Sequence, residues 1–433
     1  MPIQTPFYPR MAELCVSHRW KNWAGYYTVC AYDTNPDREY FAFRHAAGLI
    51  DVTPLFKYDV KGPDAAAYLS FLTVKDASKL AIGQVTYTCW CDDRGKLIDD
   101  GTVSRLGENE FRVTAAEPSY GWFTRYARGF NVTIEDVSQK NAALSLQGPN
   151  SREILKKISD ARMDELKFFR FTKTKIEGKG GPMSAIISRT GYTGDLGYEI
   201  WVDSADALKL WDSLMVNGRA HGIEAAGLDA MDITRIEAGF IMNGVDYTSA
   251  NHCLVERRMS TPFEANLGWT VQLERDLFVG QAALQKEKRE GSQKAFVGLD
   301  ISWEEIEALF GEYHLPPEVP TAAWRTSIPV YDFDGREQVG YASSGAWSPT
   351  LKKNLALATV SPEHAEPGTQ LKFEITVEHK RRQVSATVTK TPFFNPARKT
   401  FTPAFVGAAK GATAGMTMGS PKGADRGLER TSV

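Results

Sequence analysis

Apolar and polar positions along this 433-residue chain switch between a period of two and a period of about 3.6, the signatures of strands and helices. Residues 183–187 (Met-Ser-Ala-Ile-Ile) and 200–202 (Ile-Trp-Val) read as buried strands. Residues 188–199, Ser-Arg-Thr-Gly-Tyr-Thr-Gly-Asp-Leu-Gly-Tyr-Glu, then form the hairpin between them. Upstream, residues 57–61 alternate with period two, and Pro63 opens a helix that runs to Leu72. Residues 84–91 and 96–105 predict two strands joined by the turn Asp92-Asp93-Arg94-Gly95. Further strands are expected at 111–115 and 141–147, and a helix around 152–157. Residues 205–216 and 226–239 read as amphipathic helices. Hairpins and helices mix without a strict strand–helix–strand series, so the expected class is α+β.

The length exceeds what one hydrophobic core serves, which predicts several domains. The charged stretch 285–294 is the expected boundary. Before it, residues 1–285 are expected to form two interleaved α+β subdomains. After it, residues 295–402 carry short strand-like segments punctuated by Gly, Pro and Asp, the pattern of a β-rich domain. Residues 303–324 interrupt that domain with a partly helical insertion. Residues 407–433, rich in Gly, Ala, Thr and Ser, predict a disordered tail.

Charge and cysteines narrow the function classes. A formal net charge of -2 gives no electrostatic footprint for nucleic acid or an anionic membrane. No apolar run approaches the roughly 18 residues that span a bilayer. The N-terminus lacks the basic and apolar regions of a secretory signal, so a cytoplasmic location is expected. Five scattered cysteines lack zinc spacing and are expected to be reduced, with no metal. P-loop, dinucleotide-binding and serine-hydrolase signatures are absent.

Two constellations carry chemistry. Residues 188–199 hold three glycines, two tyrosines and Glu199. An aromatic face beside an acceptor-only carboxylate suits a flat heterocycle with N–H donors, though on local chemistry alone a tight hairpin with solvent-facing tyrosines is the commoner reading. Asp99 and Asp100 are consecutive on a strand, so only one faces any given cavity. Such a carboxylate can orient an amine or move a proton, or be a turn aspartate. Regular pairing across the 92–95 turn makes Tyr87 a near-opposite neighbour of the aspartate pair.

Taken together, the motifs resemble the glycine cleavage system T-protein (aminomethyltransferase) family and its tetrahydrofolate-dependent relatives, over roughly residues 35–400. They are residues 47–53 (Ala-Gly-Leu-Ile-Asp-Val-Thr), 60–64, 95–100 (Gly-Lys-Leu-Ile-Asp-Asp), 146–149 and 188–199, then 227–238, 267–269, 278–280 and 344–351. The resemblance implies three small domains around a central folate channel, the last of them β-rich. It implies tetrahydrofolate as acceptor of a one-carbon unit from an aminomethyl donor, a small molecule or a lipoyl-bearing protein. It also implies a monomer. In that frame Asp100 matches the catalytic aspartate, Glu199 and Tyr192 the pterin site, Tyr87 the channel wall, and Trp269 a motif beside it.

The chain departs from the family pattern on the donor side. Met231 stands where the family carries a folate-reaching arginine; Arg235, one turn on, shares its helix face and is the candidate cation in its place. The family's Asp-Val-Ser-His-Met stretch is Asp-Val-Thr-Pro-Leu here, residues 51–55, and residues 246–262 contain an insertion with His252 as a possible substrate contact. The departures keep open a tetrahydrofolate-dependent demethylase of an N-, S- or O-methylated small molecule. A non-catalytic folate-binding protein is the alternative of another class; its Lys-Gly-Cys-Tyr stretch is Asp-Leu-Phe-Val-Gly here, residues 276–280.

Overall fold

The structure is a computed structural model that describes residues 1–403; the expected tail at 407–433 lies outside the described residues. Strands form where the periodicity predicts them: Met183–Ser188, Gly197–Asp203, Val85–Cys91, Leu97–Gly107, Glu110–Ala115 and Asn141–Gln147. They belong to two sheets. The six-stranded sheet runs Phe171–Ile176, Met183–Ser188, Gly197–Asp203, Asn141–Gln147, Ala47–Asp51, Ile223–Ala225, antiparallel except for the last pair. The five-stranded sheet runs Val85–Cys91, Leu97–Gly107, Glu110–Ala115, Phe56–Lys61, Thr133–Asp136. The chain crosses from one sheet to the other between Asp51 and Phe56 and back between Asp136 and Asn141, so the two are interleaved in sequence.

Alternation along the strands gives each sheet two unlike faces. On the six-stranded sheet Leu144, Leu146, Ile187, Ile200 and Val202 pack with Leu210 and Leu214 of helix Ala207–Gly218. On the five-stranded sheet Tyr58, Val60, Val103, Phe111 and Val113 pack with Leu69 and Leu72 of helix Ala65–Leu72. Each set occupies the strand positions of one parity, so the residues between them point the other way. Those remaining faces, bearing Glu199 and Trp201 on one sheet and Thr102 and Ser104 on the other, line one shared cleft.

Residues 226–239 correct an expectation. The helix spans Leu228–Glu237, and every residue of it except Asp229 is buried, so it has no solvent face. Its polar residues are satisfied by partners instead of water: Asp232 and Arg235 pair with each other, and Glu237 pairs with Arg44. The 285–294 stretch also differs locally. Its charges lie on a helix, Gln281–Glu290, that ends at Gly291 in the left-handed region, φ +89°, a conformation glycine adopts without a Cβ clash.

The C-terminal strands close into a six-stranded barrel in the order Ala295–Ile301, Lys353–Val360, Gln338–Ser348, Ile328–Tyr331, Gln370–Val377, Lys380–Thr389. Helix Trp303–Gly311 lies between its first two strands in sequence. After the barrel the chain returns to the six-stranded sheet. There Arg398 makes a bidentate ion pair with Asp195 at 2.7 Å on both oxygens, and buried Arg189 donates to the carbonyls of Lys399 and Phe401. The strap therefore holds the 189–196 loop from behind.

Candidate functional site

The hairpin loop is shaped by one glutamine. Gln147, fully buried, inserts under it, donating to the Thr190 carbonyl at 3.2 Å and accepting from the Thr193 hydroxyl at 3.0 Å. A Cβ on Gly191 or Gly197 would lie about 2.0 or 1.9 Å from Gln147 Oε1, and Gly194 turns at φ +74°. The glycines thus serve close approach and a left-handed turn. Glu199 is held at the first paired position beyond the loop, opposite Ser188.

The aspartate pair divides its labour. Trp90 faces Asp99 and Cys91 faces Leu97, leaving Ile98 as an extra residue, a β-bulge that re-aims the strand just before the pair. Asp99 is fully buried and accepts from the backbone N–H groups of Asp100, Ala116 and Glu117 at 2.9, 3.0 and 2.9 Å, and from Asn243 Nδ2 at 2.8 Å. It is a clamp between strands. Asp100 instead lies on the strand face that carries Thr102 and Ser104, the two residues that line the cleft further along the strand.

Two phenols hold Asp100. Tyr87 donates to Oδ2 at 2.7 Å, and Tyr247 donates to Oδ1. The register places Asp100 opposite Cys89 and Tyr87 opposite Thr102, so Tyr87 reaches the carboxylate diagonally and not from the directly opposed position. Burial and the Asp100 charge push both phenols well above their ordinary range, which keeps them protonated as donors. Burial pushes the Asp100 carboxyl up while the two hydroxyls pull it down. Tyr247 was not legible as a site residue. It opens the 246–262 insertion, whereas His252, the residue singled out there, is exposed at its outer side.

The other sequence candidates surround this pair. Trp269 stacks on Tyr87 with centroids 5.8 Å apart and planes 18° apart, and is itself 65% exposed, covering Tyr87 from outside. Tyr192 donates its hydroxyl to the Ile241 carbonyl and stacks on Phe240 at 5.6 Å. Arg235 is fully buried and committed to Asp232 and Asp246 at 2.7 and 2.6 Å, with Nη2 left without a partner. Met231 is buried in an apolar cluster.

Glu199 lines the narrow cleft between the sheets, together with Thr190, Ser188 and Trp201. Burial pushes its carboxyl up, opposed by the Thr190 hydroxyl and the Lys57 charge. No arginine or lysine forms an ion pair with Glu199 among the described residues. Lys57 is itself buried, donates to the carbonyls of Thr53 and Leu55 at 2.6 and 2.8 Å, and is pushed down to about 7 by desolvation. An acceptor-only group without a cationic partner on a cavity wall is costly unless a donor-bearing ligand completes it.

Two sheets facing across a cleft, a phenol-clamped carboxylate on one of them and a C-terminal β-barrel make up the architecture of a one-carbon transferase. The family models for the GCVT N-terminal domain and the glycine cleavage T-protein C-terminal barrel domain match residues 11–275 and 315–395. The chain is 34% identical over 365 residues to the aminomethyltransferase of Bacillus cereus (strain G9842), covering 83% of this chain and 90% of that protein. The aminomethyltransferase of Bacillus anthracis matches at the same identity and coverage. The solved structure of glycine cleavage system aminomethyltransferase T from Bartonella henselae superposes with a TM-score of 0.75 and 25% identity, covering 91% of this chain and 99% of that one. The chain belongs to the glycine cleavage T-protein, or aminomethyltransferase, family.

Proposed function

We propose that this enzyme moves a one-carbon unit from an aminomethyl donor, free or carried on a lipoyl protein, to tetrahydrofolate. The observation that carries the reading is a pair of facing sheet surfaces, with phenol-clamped Asp100 on the strand face that carries Thr102 and Ser104, and Glu199, free of ion pairs, lining the cleft from the other sheet. The donor set fits a reduced pterin: its ring N–H and amino groups need an acceptor, which Glu199 offers, and the aromatic wall around Tyr192 suits its flat face. When bound, tetrahydrofolate supplies the nucleophilic amine. Asp100 holds the adjacent cationic centre and exchanges a proton at the lone pairs its two phenols leave open. The sheets orient donor and acceptor and exclude water, which lowers the entropic part of the barrier.

Product analysis tests the reading. Incubation of tetrahydrofolate with a panel of aminomethyl donors is expected to yield 5,10-methylene-tetrahydrofolate. Formation of 5-methyl-tetrahydrofolate alone, from a methylated small molecule, would overturn it in favour of the demethylase. Glu199→Ala is expected to weaken tetrahydrofolate binding by roughly 10- to 100-fold by titration calorimetry, the worth of hydrogen bonds to a charged acceptor. An unchanged Kd would remove Glu199 from the pterin site.

A further inference from the structure

The barrel reaches the loop beside Asp100 through an irregularity in one of its strands. In strand Gln338–Ser348, Ala342 pairs with Ala358 and Ser344 with Leu357, so Ser343 is an extra residue in the ladder. On a regular strand two consecutive side chains point to opposite faces. The bulge turns both serines the same way. Ser343 and Ser344 are buried, at 1% and 0% exposure, and both donate to Oδ1 of Asp246, at 2.6 and 2.7 Å. The other oxygen of Asp246 accepts from Arg235 Nη1 at 2.6 Å and from the Met242 backbone N–H at 2.9 Å. Four donors thus fix this carboxylate, and the next residue is Tyr247, the phenol on Asp100.

We propose that the Ser343–Ser344 bulge is a positioning device that the barrel contributes to the active site: through Asp246 it sets Tyr247, and through Tyr247 it sets Asp100. The inference rests on Asp100 being the working carboxylate of the one-carbon transfer. Two hydroxyls on one oxygen fill both of its lone pairs, so the Asp246 side chain cannot rotate without stranding a buried donor. That anchors the backbone one residue from Tyr247, whose hydroxyl must arrive within hydrogen-bond distance of Oδ1. Loosening the anchor withdraws one of the two donors that keep Asp100 ionised. Facing Asp100 are Tyr87 and Cys89 from the neighbouring strand, Asp99 beside it, Tyr247 and Asp246 from the loop, and Tyr192 from the hairpin. Of these, Tyr87 and Tyr247 donate a side-chain hydrogen bond to it.

The test is Ser343→Ala/Ser344→Ala in the full chain, alone and with Tyr247→Phe. Expected are a fall of about tenfold in kcat, a KM for tetrahydrofolate within about threefold of the parent, and an acidic limb of the kcat profile moved to higher pH. With Tyr247 already Phe, the serine substitutions should cost less than about twofold more, because the device has lost the group it positions. A pH-titrated infrared difference spectrum of the protein without folate, assigned with Asp100→Asn, should show the Asp100 carboxyl titrating higher in the serine variant. Full additivity with Tyr247→Phe, or an unmoved Asp100 titration, overturns the proposal. If the double variant does not fold, Ser344→Ala alone is read in the same way, with a smaller shift of the same sign expected. Absence of folate turnover by the parent protein sinks the proposed function, while the infrared titration still decides the positioning claim.

Discussion

Asp100→Asn is expected to lower kcat by roughly a thousandfold while leaving the Kd for tetrahydrofolate within about threefold. Asparagine keeps the shape and one acceptor oxygen, so the Tyr87 hydrogen bond at 2.7 Å can survive and the cleft keeps its form. What is lost is the charge that favours a cationic centre and the ability to take a proton. The pH dependence has a definite sign. In the role proposed for it Asp100 works as the carboxylate, and burial raises its pKa against the pull of the two phenols. Activity is therefore present at higher pH and lost as pH falls through a value above the ordinary aspartate pKa of about 3.9. Tyr87→Phe or Tyr247→Phe removes a donor to the anion and should move that limb further up. Asp100→Asn should abolish the limb. A full-rate Asp100→Asn enzyme would falsify the assignment.

The second large effect is on stability. Arg44→Met should destabilise the fold by about 3–5 kcal/mol, read as a lowered midpoint of urea unfolding, because it leaves the buried Glu237 carboxylate without its cation. Arg44 and Glu237 are each 1% exposed in their side chains, and the guanidinium also donates to the carbonyls of Thr193 and Thr234. The Glu237 carboxylate accepts as well from Tyr40 and from Ser348 of the barrel. One ion pair thus ties helix Asp37–His45, the buried helix Leu228–Glu237, the signature loop and the barrel. Arg44→Met/Glu237→Gln should recover part of the loss, since the stranded charge is gone. An unchanged midpoint for Arg44→Met would show that the network adds nothing net to the stability of the fold.

Tyr247 shows why part of the site stayed hidden in the sequence. Its phenol lies 147 positions from the carboxylate it serves. Nothing in the residues around it, Gly-Val-Asp-Tyr-Thr, distinguishes a site tyrosine from a buried one. The signal that could have found it is indirect: the insertion begins there, and Asp246 before it is a carboxylate with four partners that only the fold reveals. Arg235 is the converse. The helical face it shares with Met231 was visible, but its commitment to Asp246 as well as to Asp232 on its own helix depended on how the following loop folds back.

The sequence by itself determined the strands and most helices, since periods of two and 3.6 are local properties. It also determined the hairpin glycines and the family motifs around Asp100 and Glu199. Whether helix Leu228–Glu237 faces water could not be read locally, because its charges are neutralised by partners from other elements. Nor could the sequence say that the strand faces bearing Glu199 and Asp100 are turned toward each other, or that a bulge in the barrel holds the loop that clamps Asp100. Those are facts of tertiary structure: hydrogen bonds and ion pairs between distant segments form only once packing has brought the sheets face to face and excluded the water that would otherwise satisfy each group alone.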